Sequence, residues 1–417
     1  MQMHDTDVEF GQLGFPKVRV NPNPSYSDRW DYRVTGFYSS LVERSDIGKN
    51  VYKRFQADRR LSVWDGEQLS RGVYAYRLDL KFLAAWWLWR ANEAGEQVAD
   101  ENLNDFIEQN VADMLAVVWL YGILPSARTE ISEKIHLVSL QDMPESREKE
   151  EYLRLRSGIR SGVSALAPTA ALVCRLSMPK VVGNDAVLEG AETIHGIWRK
   201  MTAIATLLNA LPGTCCAVGY RTAYDPPEVP LGPFGGQFGS FPLLDSLPDP
   251  APFANETLQP LISRLADSFF KLSPQDQQRI GRALHRLSQA KSKKNAADRA
   301  LDLGVALEML LLNSEHQNQE LPGQLSLHFQ LRGSWLLGST GEERKKIYHL
   351  LRKIYSLRSQ VAHTGRSHEL EQMDPTKLGD MERVHFKTAE QIFQKLILSG
   401  VPDSWADLIL GVGSGGP

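Results

Sequence analysis

The chain has 417 residues, 42% of them hydrophobic and 23% charged, with a formal net charge of −3. The length exceeds one typical core and predicts two domains, and the charge balance requires any basic patch to be offset by acid elsewhere. Three cysteines, Cys174 and the adjacent Cys215 and Cys216, exclude a disulfide framework and zinc-ligand spacing, so a reducing cytoplasm is the expected compartment.

The N-terminus, MHDTDVEF, is polar and acidic rather than basic then apolar, so no signal peptide is expected. Residues 1–223 read as a mixed α+β domain that opens on turns, NPNPSYSDRW, and short extended pieces. Two apolar stretches follow, Phe82 to Trp89 and Met114 to Leu124. Each is far short of the roughly 20 residues that span a bilayer, so both predict buried helices and no membrane association. An extended stretch near Ile131 to Leu140, a charged helix from Pro144 to about Arg160 and a helix from Ala191 to Leu211 complete the domain. Its tryptophans (Trp30, Trp64, Trp86, Trp87, Trp89, Trp119, Trp198) predict core rather than a base-stacking platform. Glu93, Glu96, Asp100, Glu101, Asp105 and Glu108 supply acid, and no metalloprotease motif, nucleophile elbow or paired-carboxylate pattern stands out.

Residues 224–254 are rich in proline and glycine and predict a linker or long surface loop. Phe234, Phe238, Phe241 and Phe253 argue that it docks, and GPFGGQFG lacks the spacing of a phosphate-binding loop. From 255 to 400 the pattern is helical, with six helices expected, the first near Leu258 to Phe270 and the last near Leu378 to Leu398. Ser273, Pro274 and Asp276 predict a helix start that runs to about Ala290, and Thr340 with Glu343 repeats the capping signature. Residues 401–417 read as a tail. The fold class expected is mainly α, a helical bundle preceded by the mixed domain.

Basic residues run from Lys271 to Arg299, and Lys345, Lys346, Arg352, Lys353 and Arg366 form a second set suited to RNA phosphates. Three helical segments also aim a charge at an apolar stripe. Glu308 lies in register with Leu301, Val305 and Leu312, Arg332 with Leu325 and Phe329, and Arg358 with Ile347, Leu351 and Ile354. Isolated buried charge is costly enough that one shared cluster is expected. With His363 that cluster is net positive and suits a phosphate, while a salt bridge that only fixes helix packing remains the other reading.

The segment YSLRSQVAHTG sets Arg358 five residues before His363. Around it, ALHRLSQA at Ala283 to Ala290, ALDLGVALEMLLL at Ala300 to Leu312, LRGSWLLG at Leu331 to Gly338 and IYSLRSQVAHTG at Ile354 to Gly365 resemble, in order, the HEPN superfamily and its Apea-like branch. The resemblance covers roughly Leu258 to Leu398. It implies a HEPN-type bundle and a metal-independent ribonuclease acting as a homodimer, with Arg358 and His363 catalytic and no cofactor. Ser359 matches the polar position after the arginine, Glu308 the acid of the preceding helix, and Arg332 and Tyr355 join them as supporting residues. Many relatives serve bacterial toxin or phage-defence systems, which implies a partner protein; others keep the fold as dimerisation or nucleotide-binding modules.

The chemistry stands apart from the resemblance. Metal-free RNA cleavage uses the ribose 2′-hydroxyl as nucleophile, so it needs a base for that proton and an acid for the departing 5′-oxygen. Histidine serves either role near neutral pH, and an arginine fork stabilises the charge that develops on the phosphorane. Along an uninterrupted helix, residues five apart point about 140° away from each other. Either the last turn unwinds before Thr364 and Gly365, or a two-fold dimer brings each His363 to the opposite Arg358.

Overall fold

The computed structural model of the chain describes residues 10–15, 34–71, 74–143, 149, 167–182, 190–230, 238–240, 247–312 and 324–411. Two units emerge, and neither is a continuous stretch. The first takes residues 1–119, 134–201 and 219–242; the second takes 120–133, 202–218 and 243–417. The segments 120–133 and 202–218 thus leave the expected N-terminal domain for the unit that holds the bundle, and neither carries a shift of composition that would announce it.

The first unit begins with α1 (Val34–Arg44), α2 (Asp46–Ala57) and α3 (Arg59–Ser62), followed by the antiparallel pair β1 (Gln68–Arg71) and β2 (Tyr74–Arg77). Next come α4 (Leu80–Ala94) and α5 (Glu96–Glu108). The Asp79 side chain caps α4 by accepting from the Lys81 amide, and its tryptophans are inside: Trp86 donates to the Pro227 carbonyl and Trp87 to Asp100. Trp119 and Trp198 are buried as well, so the core reading of these tryptophans holds; Trp30 lies outside the described residues.

The second apolar stretch corrects the expectation of a helix. Residues 111–121 form a strand, β3 (Val111–Tyr121), buried almost throughout. An apolar run without a period fits a buried helix and a central strand equally, and here β-branched Val117 and Val118 beside Trp119 favour the pleated form. After β4 (Ile123–Pro125) and β5 (Thr129–Ser132) of the second unit come β6 (Ile135–Ser139), β7 (Ala170–Val182), α6 (Ala191–Leu207), β8 (Ala217–Tyr224) and β9 (Phe238–Ser240). The sheet runs β2-β1-β7-β3-β8-β9, with β6 also antiparallel to β7, and β3 is therefore interior. A one-turn 3-10 helix, Leu208–Ala210, ends the segment expected to be helical to Leu211. The helix expected over 144–160 and the turns at 21–30 lie outside the described residues, apart from Lys149.

In the second unit β10 (Ala251–Phe253) pairs in parallel with β4, so part of the Pro/Gly-rich segment is docked strand. Phe253 is buried there, whereas Phe234 and Phe241 lie outside the described residues. The bundle comprises α7 (Asn255–Phe269), α8 (Pro274–Ser292), α9 (Ala296–Leu311), α10 (Leu325–Leu337), α11 (Gly341–Thr364), the single turn α12 (His368–Glu371) and α13 (Pro375–Ser399). The chain is mainly α with an antiparallel sheet. The six expected helices are all present and α12 is additional. The tail is corrected too: α14 (Trp405–Leu410) packs against α10 and buries Trp405. Among the described residues no helix is long and apolar enough to cross a membrane.

Candidate functional site

Helix α11 carries the site. Thr340 accepts from the Glu343 amide, and the Glu343 carboxylate accepts from the amides of Ser339 and Thr340, which closes a capping box and holds that carboxyl below its usual range. Leu351, Ile354, Leu357 and Val361 form the buried face. Two glycines let that face approach its neighbours: a Cβ at Gly304 of α9 would lie 2.4 Å from the Arg358 Cβ, and one at Gly333 of α10 would lie 2.4 Å from Leu351 Cδ1. Such overlap is not tolerated in a packed interior, so α11 sits as close as it does because both positions lack a side chain.

Two of the three inward charges meet. Arg358 donates from Nη2 to Glu308 Oε2 at 2.5 Å, and the two side chains keep 27% and 17% of their exposure, so the guanidinium is not sealed in dry packing. Its Nε is buried without a hydrogen-bond partner. Burial pushes the Glu308 carboxyl up, and the charge and hydrogen bond of Arg358 oppose that rise. Arg332 corrects the expectation of a single cluster. It donates to the Leu311 carbonyl at 2.8 Å and lies 5.7 Å from the Trp405 ring, so it serves the end of α9 and the docking of α14.

The helix does not unwind at its end. It continues through His363 to Thr364, and Gly365 terminates it in the left-handed region (φ 72°), donating its amide to the Val361 carbonyl. Glycine ends the helix after the histidine rather than loosening the turn before it. Arg358 and His363 therefore point to different faces of α11 within one chain. His363 is exposed and lines a hollow of about 400 Å³ with Arg352, Ser356, Ser359 and Gln360 of the same helix. Ser326 of α10 and Tyr355 complete it. Tyr355 links the two faces: its ring packs 5.3 Å from Phe329, and its hydroxyl is pushed up by burial and by the Glu308 charge, against the opposing pull of Arg358.

The remaining predicted residues divide. Lys345 and Lys346 are exposed along α11 and Arg366 just beyond it. Lys353 is paired with Glu369 at 2.9 Å. Ser356 and Gln360 were readable, since they continue the helical spacing from Arg352 to His363. Ser326 had no signal, because it reaches the hollow from a separate helix. Among the described residues no group of three or more His, Cys, Asp or Glu could hold a metal ion. No protein-family model matches the chain, and no curated protein or solved structure matches it either.

Proposed function

We propose that the bundle is a metal-independent endoribonuclease of the HEPN type, acting as a homodimer in which His363 of each chain works with Arg358 of the other. The observation that carries this reading is the α11 surface, where an exposed histidine shares a hollow with Arg352 and three serines one face away from a half-open guanidinium. Histidine transfers the proton between the 2′-hydroxyl and the departing 5′-oxygen, leaving a 2′,3′-cyclic phosphate and a 5′-hydroxyl. Arg358, held by Glu308 through one nitrogen, keeps other donors for the phosphorane oxygens. Substrates in this reading are RNA, tRNA among them, and the biological setting is a toxin-like or phage-defence system with a partner protein.

The test compares wild type with His363→Ala on total RNA and tRNA in EDTA. Wild type yields fragments ending in 2′,3′-cyclic phosphate; the variant loses about 10²- to 10⁴-fold in rate. Its melting temperature stays put, since substitutions at exposed positions usually change stability by no more than about 0.5 kcal/mol. A second reading is favoured by the Glu308–Arg358 pair itself, which suits a purely structural role in a non-catalytic dimerisation or nucleotide-binding module. In that case neither protein cleaves and Arg358→Ala still unfolds at lower temperature.

A further inference from the structure

Between Lys345 and His363 the sequence contains no carboxylate. Lys345, His349, Arg352, Ser356, Ser359 and His363 follow one another at alternating intervals of four and three residues along α11. At 100° per residue they stay within about 40° of a single line, roughly 27 Å long at 1.5 Å per residue. All six but the half-buried Ser359 are exposed. Among the described residues Lys345, His349, Arg352 and His363 make no ion pair, and the His349 ring meets only the edge of its neighbour Tyr348, 5.6 Å between centroids.

In the other basic run of the bundle five of the eight cations are paired, and Lys271, Arg282 and Lys294 are exposed without an ion pair among the described residues. Arg279 pairs with Asp276, Arg286 and Lys293 with Asp302, Lys291 with Glu390 and Arg299 with Glu382. Of the cations near the line but off it, Lys353 pairs with Glu369, and Arg344 lies 3.5 Å from the Trp335 ring and donates to the Gly338 carbonyl, whereas Lys346 is exposed without an ion pair among the described residues. Like charges aligned without compensation repel one another, and a polyanion laid along them removes that cost.

We infer that α11 carries one RNA strand along this line, with phosphates on Lys345 and Arg352 and the scissile linkage at His363; the position of that linkage rests on the nuclease reading above. The line is a single row of donors, whereas a duplex presents two phosphate rows across a groove. The exposed imidazoles of His349 and His363 offer faces on which unpaired bases stack, and the serines between them donate to phosphate or ribose oxygens. A length of about 27 Å takes about eight stacked nucleotides at 3.4 Å each, or about four when the strand is extended.

The experiment uses the wild-type full chain and 2′-O-methyl oligouridylates of about four, eight and sixteen nucleotides, which lack the nucleophile and are bound whether or not the protein cleaves. Affinity is expected to rise up to about eight nucleotides and then level, and a duplex of equal length to bind more weakly. Lys345→Glu with Arg352→Glu should weaken binding more than tenfold and flatten the salt dependence of log K by about 1 to 2 units. Lys377→Glu with Lys395→Glu, exposed positions on α13, should bind as wild type does. If the double reversal fails to fold, Lys345→Gln with Arg352→Gln should still weaken binding and flatten the slope. Equal losses in the α13 control, unchanged binding in the α11 variants, or tighter binding of duplex each overturn the track. Cleavage by wild type with unaltered binding in the α11 variants removes the track and spares the nuclease; binding lost in those variants with no cleavage by wild type does the reverse.

Discussion

Lys291 of α8 and Lys345 of α11 are the same residue type in equally basic stretches of one bundle, and the structure uses them in opposite ways. Lys291 is inside: its ammonium donates to the carbonyls of Asn209 and Thr214 and to Glu390, filling its three donor positions. Burial pushes Lys291 down and Glu390 up, and their mutual attraction opposes both shifts. A full set of acceptors favours the charged ammonium and so works against the effect of burial. The pair thereby ties segment 202–218 to α8 and α13, a connection reinforced by Gln394 on the Ala210 carbonyl and Ser288 on the Cys216 carbonyl. Lys345 stands in solvent with no ion pair among the described residues. A basic run in a sequence is thus two signals superposed, and only the availability of partners separates an internal clamp from a surface field.

The largest effect expected from that difference is on stability. Lys291→Met leaves Glu390 buried without its cation and should cost about 3–5 kcal/mol, whereas Lys345→Met should stay within about 0.5 kcal/mol. Urea unfolding of both variants checks this, and Lys291→Met with Glu390→Leu should recover most of the loss, because the penalty lies in the orphaned carboxylate. Equal losses in the two single variants would erase the distinction between clamp and field.

A histidine extends the comparison to pH. His385 on α13 is buried, its Nε2 has no hydrogen-bond partner, and burial followed by the Lys353 charge lowers its pKa from 6.5 to about 4, against a smaller upward pull from Glu369. A histidine depressed in the folded state contributes stability above its unfolded value. That contribution is lost as pH falls from about 6.5 toward about 4, by up to about 3 kcal/mol in all. Glu308 and Glu390, raised by burial, pull the opposite way at acid pH, so the informative quantity is the difference between wild type and His385→Gln across that window. The variant should show a flatter acid limb.

How much of this was legible follows from where each signal resides. The helices of the bundle could be read because their signals are local: Ser273 and Thr340 cap within three residues, and the apolar stripes repeat along each helix. The inward register of Glu308 and Arg358 was legible for the same reason. Arg332 was assigned to the wrong group, because its contacts among the described residues include the Leu311 carbonyl and a tryptophan beyond residue 400, neither of which marks itself in sequence. Strand β3 was misread since burial on both faces erases periodicity. The clamp around Lys291 was invisible on similar grounds, two of its three acceptors being backbone carbonyls that any residue supplies.

The smallest expected effect is the sharpest test of whether pairing decides a cation's role. Lys353 lies on α11 between Arg352 and Ile354, yet it points about 80° away from the Lys345–His363 line and holds Glu369 at 2.9 Å. Both side chains are more than two-fifths exposed, so the pair is screened and Lys353→Ala should cost no more than about 0.5 kcal/mol. Its effect on oligonucleotide binding should be equally slight, with the salt slope unchanged, even though it removes the same unit charge from the same helix as Lys345→Ala. Long-range attraction depends on net charge alone and would weaken equally in the two variants. Direct phosphate contact depends on the facing and freedom of the ammonium, so it should separate them. A Lys353→Ala protein that lost as much affinity and salt slope as Lys345→Ala would mean that RNA senses α11 as a diffuse positive rod, with no defined track along it.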